Sequence, residues 1–390
     1  MDGSPCCIRS GRGIKHAEAR RREAATRLHL GARMTVIVLF GGLSDERHVS
    51  VASAQNIVRT LNGPRDRETA QPRDPVLAWF WAPNGSVHDV NCDDLLAHPQ
   101  PFTNDFHPSR PAIWPDLEMA LDTLPVDDPV FLLAFHGGEG EDGTVQRMME
   151  ARGIPFTGSG SASSAAAFDK ERAKESVEGR VRLAESRVVE DVRDIDRAVA
   201  EMLARYEKIV LKPLAGGSSR GLFFVERGGE TPALENVPYL VEQFIAGREL
   251  TVGVVDGEDG PIALPVLEIE TDPGLSFDYE GKYLGKGTRE ICPAKISEVT
   301  RDEAQTAALA AHSALGCDGY SRTDLVAADD GIYFIELNTL PGLTTASLLP
   351  QELRAAGIGF AEFLEQQIEI ARNRLLRGCE EIPPQSNLSS

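Results

Sequence analysis

The chain lacks most of the features that announce a function class. Its six cysteines, Cys6, Cys7, Cys92, Cys292, Cys317 and Cys379, follow neither a disulfide framework nor a zinc spacing. Positive charge is scarce. Forty Lys and Arg stand against 60 Asp and Glu, a net charge of −20, which disfavours a nucleic-acid backbone or an anionic membrane as the main partner. No apolar run approaches the roughly 18 residues of a membrane-spanning helix; Pro129 to Phe135 has the length of a buried strand. There is no GxxxxGK[ST] phosphate loop, no internal repeat and no low-complexity run. What remains is an ordinary globular composition, 42% apolar and 26% charged over 390 residues. That is enough for two or three domains with a substantial core, and the expectation is a soluble, cytoplasmic protein without a nucleic-acid or membrane partner.

The first 33 residues differ from the rest, with eight Lys or Arg against three acids and no apolar h-region, so they are not a secretory signal. A transit peptide is the lesser reading. A disordered extension, or a start codon assigned too early with Met34 as the true beginning, is favoured. Thr35 to Phe40 then reads as a buried strand running into Gly41-Gly42, with a helix near 49–61 behind it. Val76 to Trp81 and Val130 to Phe135 are further strands, and the alternation with helices predicts a parallel sheet. A boundary is placed near 158. Beyond it the pattern predicts helices at 162–168, 171–178, 194–206, 301–315 and 360–376, and strands at 208–212, 222–226, 240–245 and 249–255. Polar, Pro-rich stretches at 63–76 and 100–116 read as loops.

The richest stretch is Ser321-Arg322-Thr323-Asp324, Asp329-Asp330-Gly331, Ile335-Glu336-Leu337-Asn338. Both flanks alternate like strands around a turn signal. Closed on a three-residue loop, the hairpin sets Asp324 opposite Glu336 and Arg322 opposite Asn338, all on one face. Carboxylates directly across a ladder repel. An Asp, Glu and Asn offering only oxygen suit a hard cation such as magnesium, which commonly shares phosphate oxygens. The competing reading is a solvated acidic hairpin with a salt bridge to Arg322. A second signal is Lys212, at the end of a strand leading into Gly216-Gly217-Ser218-Ser219-Arg220-Gly221 and another strand. Such a loop can fold over phosphates and donate backbone N–H groups. It also fits G-x-S-x-G, with His136-Gly137-Gly138 resembling an oxyanion motif, so a serine hydrolase using Ser219 is the rival class. That reading needs a histidine after the serine, where only His312 stands, and a helix where a strand is read.

In order, these segments resemble the D-alanine–D-alanine ligases, members of the ATP-grasp fold. Gly41-Gly42-Leu43-Ser44-Asp45-Glu46-Arg47-His48-Val49-Ser50 is similar to the family's N-terminal signature. His136-Gly137-Gly138-Glu139-Gly140-Glu141-Asp142-Gly143 with Gln146 is similar to its second, and Asp169-Lys170 to the segment carrying its first nucleotide lysine. Phe277 to Tyr283 with Cys292-Pro293-Ala294 resembles its mobile loop. Arg322-Thr323-Asp324, Glu336-Leu337-Asn338 and Pro341-Gly342-Leu343-Thr344 with Ser347-Leu348-Leu349-Pro350 resemble its C-terminal signature. The likeness runs from about 36 to 353. Arg147 after Gln146, Arg220 in the phosphate loop, the 63–76 insertion and the N-terminal extension depart from it.

The resemblance implies an α/β ATP-grasp enzyme of three domains: an N-terminal substrate-binding domain with a parallel sheet at 34–158, a central subdomain at 159–245 and a C-terminal subdomain at 246–376. ATP would sit between the last two and the amino acids between the first and last. The implied reaction joins two D-alanines through an acyl phosphate, for peptidoglycan precursor synthesis. Lys170 and Lys212 would hold phosphates together with Ser218 and Ser219. Glu242 and Glu249 would bind adenine and ribose, with Gln243, Phe244 and Ile245 lining the adenine slot. Asp324, Glu336 and Asn338 would carry two Mg²⁺ or Mn²⁺ ions. Arg322 and Gly342 would stabilise the oxyanion, and Lys282 would reach the transferred phosphate. Glu46 would take the first ammonium, Ser347 and Leu348 the second substrate, and His136 would lie near the first subsite. Ser218 and Tyr283 would link to Glu46 and lock the mobile loop. Tyr283, where D-lactate-using relatives carry histidine, favours an amine acceptor, with D-serine an alternative to D-alanine. A homodimer is the family expectation. The alternatives for Glu249 and His136 are a strand-end surface acid and a strand-end cap.

Overall fold

The computed structural model describes residues 34–63, 74–216, 221–271 and 287–380. Ser218, Ser219, Arg220, Lys282 and Tyr283 lie outside the described residues, as do the first 33 positions, most of the 63–76 insertion and most of the expected mobile loop. The chain forms two compact units.

Of the described residues, the first unit takes 34–63, 74–135, 144–158 and 361–380. Its sheet runs β3-β2-β1-β4, from β1 (Thr35–Gly41), β2 (Val76–Trp81), β3 (Val87–Val90) and β4 (Pro129–Leu133). β1 pairs parallel with both β2 and β4, and β3 closes the edge antiparallel. Thr35-Val36-Ile37-Val38-Leu39-Phe40 is nearly all apolar because a central parallel strand is covered on both faces, and Ile37 to Phe40 are 0% exposed. Helix α1 (Arg47–Asn62) follows through Gly41-Gly42, and is buried on nearly all sides over its first two turns, where every residue from Val49 to Gln55 is covered, as are Ile57 and Val58. Its hinge needs glycine. Gly41 holds φ +93°, and a Cβ there would stand 2.4 Å from the Trp81 carbonyl oxygen. Trp79, Trp114 and Phe131 fill the space under the sheet, with ring centroids 4.5 and 5.6 Å apart around Trp79. Helix α2 (Thr144–Glu150) also belongs to this unit.

Of the described residues, the second unit takes 136–143, 159–216, 221–271 and 287–360. It opens with α3 (Ser161–Phe168) and α4 (Lys170–Val177), then β5 (Arg182–Leu183), β6 (Ser186–Val189) and α5 (Ile195–Leu203). β7 (Lys208–Pro213), β8 (Phe223–Glu226) and β9 (Tyr239–Gln243) follow, and the smaller sheet runs β6-β9-β7-β8, all antiparallel. The larger sheet is built from β10 (Arg248–Gly257), β11 (Gly260–Ala263), β12 (Leu267–Thr271), β13 (Thr288–Ile291), β14 (Tyr320–Ala328) and β15 (Gly331–Asn338), in the order β13-β12-β10-β14-β15-β5, with β11 paired to β10. Helix α6 (Glu298–Ala314) packs Ala304, Ala308 and Ala311 on one face of it, against Val252, Val254, Leu325 and Phe334. Helix α7 (Leu348–Ala355) follows β15, and α8 (Phe360–Glu380) returns to the first unit.

The acidic hairpin reaches its register by a different route from the one the turn signal implies. Ala328 pairs with Gly331, so the loop is the two residues Asp329-Asp330, not three. The register then shifts: Leu325 pairs with Phe334, but Asp324 pairs with Glu336. Ile335 is the extra residue of a β-bulge. Below the bulge, Ile332 and Phe334 join the core with Leu325. Past it the alternation changes phase, so Leu337 enters the core and Glu336 and Asn338 turn to the other face, with Asp324 and Arg322. A short loop and a bulge cancel, and the four polar residues meet as the sequence reading requires.

Gly41→Ala is expected to cost roughly 2 kcal/mol in urea denaturation, because it meets both a positive φ and a backbone oxygen. Gly85→Ala, at φ +89° with nothing within 4 Å, should cost about 1 kcal/mol. Equal costs would mean that the Trp81 contact is not real.

Candidate active site

The larger sheet brings one polar face together. Directly paired residues of an antiparallel ladder project to the same side, so the pairs Thr251–Asp324, Gly253–Arg322, Arg322–Asn338 and Asp324–Glu336 mark a single surface across β10, β14 and β15. Arg322 donates from Nε and Nη2 to the two carboxylate oxygens of Asp324, both at 2.9 Å. Thr251 Oγ1 adds a bond to Asp324 Oδ1 at 2.6 Å. The salt-bridge reading of the hairpin is therefore realised at Asp324. Glu336 faces a different cation, Lys170, whose ammonium it favours electrostatically. Asn338 Oδ1 accepts the Leu340 N–H at 2.8 Å, which fixes the amide oxygen's orientation. Among the described residues no group of three or more His, Cys, Asp or Glu forms a metal cluster. The donor set here is two acids and an amide oxygen. Such an oxygen-only set, with opposed carboxylates, fits a hard divalent cation.

The lysines converge beside it. Lys212, at the end of β7, gives its Nζ to Glu242 Oε2 at 2.5 Å, and Lys174 on α4 takes Oε1 of the same carboxylate. Glu242 is 2% exposed. Burial pushes its carboxyl up, but Lys212 and Lys174 outweigh that and hold it below the usual carboxylate range. Lys170, one turn before Lys174, gives its Nζ to the Gly216 carbonyl at 2.7 Å. Burial pulls its ammonium down, Lys212 adds to the fall, and Glu336 opposes it. The outcome is a concentrated positive potential where β7 leads toward the Gly-Ser loop, suited to a polyanion. Lys174 was not read as a site residue. Its spacing of four from Lys170 on a helix face was the available signal.

Gln243, Phe244 and Ile245 are half-buried at the end of β9. The amides of Gln243 and Phe244 already donate to the Glu185 and Lys208 carbonyls, at 2.8 and 3.1 Å, so backbone recognition there would fall to carbonyls and to Ile245. Glu249 is exposed on β10, on the face of Thr251 and Gly253.

His136, Gly342 and Ser347 form a tight group. A Cβ on Gly342 would lie 2.5 Å from Ser347 Oγ and 3.2 Å from His136 Cε1, so glycine is required there for close approach. Ser347 Oγ accepts the Thr344 N–H at 3.2 Å and shares a 2.8 Å bond with Thr344 Oγ1. Burial, with Arg322 adding to it, pushes the His136 imidazole down to about 3, so it is neutral at physiological pH. Leu348 packs with Leu267 and Ile269. In the first unit, Glu46 is half-buried at the start of α1 and accepts no helix-capping bond on its side chain.

The family model described as D-ala D-ala ligase N-terminus matches residues 35–159, and that described as D-ala D-ala ligase C-terminus matches residues 181–369. The chain belongs to the D-alanine–D-alanine ligase family. It is 40% identical over 355 residues to the D-alanine–D-alanine ligase of Desulfotalea psychrophila, covering 87% of this chain and 95% of that one. It is 34% identical over 363 residues to that of Leptospira interrogans, covering 87% and 99%. Among solved structures, the VanG D-Ala:D-Ser ligase from Enterococcus faecalis matches with a TM-score of 0.71 at 28% identity, over 87% of this chain and all of that one. The ligase-family chain thus carries its ATP-grasp fold on two compact units, with the lysine cluster and acidic hairpin both in the second.

One buried acid of this ligase-family chain was missed from sequence. Glu352 on α7 is 0% exposed, and burial raises its carboxyl to about 8 from 4.5. An unfolded chain releases that proton near 4.5, whereas the folded chain keeps it until about 8, so folding stability falls across that interval. Glu352→Gln has no proton to lose. Its melting temperature should gain on the wild type steadily from about pH 4.5 to about pH 8, then hold a constant lead. A gap independent of pH would show that the acid is not held neutral.

Proposed function

We propose that this enzyme joins two D-alanines into D-alanyl-D-alanine at the expense of ATP, for peptidoglycan precursor synthesis. Its place in the family makes it an ATP-dependent ligase; the residue roles are those the resemblance implies. The carboxylate of the first D-alanine takes the γ-phosphoryl group, giving ADP and an acyl phosphate. The amine of the second attacks the acyl carbon, a C–N bond forms, the C–O bond to phosphate breaks, and the ammonium's surplus proton is lost. The chemistry needs charge neutralisation and exclusion of water more than a covalent nucleophile.

The observation that carries the reading is the single polar face of the second unit, where Asp324 and Glu336 oppose each other beside Lys170 and Lys212. Lys170 and Lys212 would bind ATP phosphates, with Ser218 and Ser219 assigned by resemblance. Glu242 would be both the anchor of two lysines and an adenine contact, and Glu249 a ribose contact. Asp324, Glu336 and Asn338 would hold two magnesium or manganese ions, which supply charge neutralisation on the triphosphate. Arg322, kept in place by Asp324, and the Gly342 backbone would receive the developing oxyanion. Neutral His136 can accept or donate one hydrogen bond near the first subsite without adding charge. Glu46, Lys282 and Tyr283 keep the roles the resemblance implies. D-serine as second substrate is the alternative, because VanG is named a D-Ala:D-Ser ligase. The hydrolase reading loses its structural support, since β8 follows the Gly-Ser loop as a strand antiparallel to β7, where a nucleophile elbow needs a helix. A homodimer remains part of the proposal from resemblance.

Phosphate release from ATP is expected to require D-alanine and to yield dipeptide. Glu336→Gln should lower it by at least about a hundredfold, because several kcal/mol of charge stabilisation are at stake, in a protein that still unfolds cooperatively. Near-normal turnover in that variant would overturn the metal assignment. Ester cleavage without ATP that is abolished by Ser219→Ala would restore the hydrolase.

A further inference from the structure

Glu352 has no part in the metal set or the substrate contacts assigned above, yet it is built into the same face. It lies on α7, whose first residues follow Ser347. Its Oε1 accepts the Gly253 N–H of β10 at 2.9 Å, and its Oε2 has no hydrogen-bond partner among the described residues. The seat for this carboxyl is made by a missing side chain. A Cβ on Gly253 would stand 2.8 Å from Glu352 Oε2 and 2.6 Å from Leu349 Cδ1. Gly253 is the ladder partner of Arg322, so the acid sits on β10 beside the point where the arginine projects. Arg322 and Asp324 on β14 both act on it electrostatically, and Glu352 in turn acts on the Cys292 thiol beyond β13. Burying an acid whose second oxygen finds no partner is costly. A hydrophobic residue would fill the same space more cheaply, so packing alone does not account for it.

We propose that Glu352 is a positioning residue for the second substrate: its bond to Gly253 fixes α7 on β10, and so sets the distance between Arg322 on the sheet and Ser347 at the head of the helix. The inference rests on the roles given to Arg322 and Ser347 under Proposed function. Ser347 is assigned to the second substrate and Arg322 to the oxyanion that forms as that substrate attacks, so the tether bears on the second substrate's approach. The nucleotide, held by the lysines and the hairpin acids, does not depend on it.

The test is steady-state kinetics of the full chain, with dipeptide formation fitted for separate first-site and second-site KM values for D-alanine and a KM for ATP. Glu352→Leu fills the space but leaves the Gly253 N–H without its acceptor. It should raise the second-site KM about tenfold while the ATP and first-site KM values stay within twofold. Glu352→Gln keeps an acceptor oxygen and should restore the second-site KM. Gly253→Ala, which pushes the acid from its seat, should reproduce the leucine variant with Glu352 intact, and it serves as the test if the leucine variant does not fold. An unchanged second-site KM in a folded Glu352→Leu or Gly253→Ala, or a uniform loss in all three constants that glutamine does not rescue, overturns the inference. A wild type that makes no dipeptide from D-alanine and ATP would instead overturn the functional reading.

Discussion

Two carboxylates placed directly across a β-ladder are the constraint around which the second unit is arranged. Asp324 and Glu336 are ladder partners, and like charges in that position weaken a sheet by a few tenths to about 1 kcal/mol. The fold answers each acid separately. Arg322 and Thr251 hold Asp324, while Lys170 comes to Glu336 from a different layer. The acids are thus tolerated without being neutralised as a pair, which is what the proposed divalent-cation site would require.

The same logic governs the lysines. Glu242 draws Lys174 and Lys212 onto its two oxygens, and Lys170 stands close enough to Lys212 to feel its charge. Removing one member of such a buried set leaves an uncompensated charge, so the cluster is rigid by necessity. In the proposed reading a nucleotide's phosphates would meet cations already in place, with less ordering left to do on binding. In this account Glu242 serves the fold first and the nucleotide second.

Much of this was legible in the chain. Val36 to Phe40 announces a buried strand by its unbroken apolar run, and Gly41-Gly42 announces the turn that only glycine can make. The pairing of Asp324 with Glu336 could be read from alternation around Asp329-Asp330-Gly331. The tip could not, because the loop is shorter and the Ile335 bulge makes up the difference; a bulge leaves no mark in composition. Strand β3, the β11 hairpin, β12 and helix α7 were not anticipated, since each is short and takes its stability from neighbours distant in sequence. Lys174 and Glu352 were missed for a related reason. Their partners lie 68 and 99 residues away, and a buried ionisable group announces itself only once its partner is known. Ser218 and Tyr283 were assigned by likeness alone and lie outside the described residues.

The central claim is that the opposed acids of the hairpin bind a divalent ion that bridges a nucleotide. Electron paramagnetic resonance of Mn²⁺ titrated with the protein and ADP tests it without any turnover. The account predicts that free-manganese signal disappears on the wild type in a nucleotide-dependent way and persists when Asp324→Asn and Glu336→Gln are combined in a folded protein. Equal manganese and ADP binding by the double variant would contradict it.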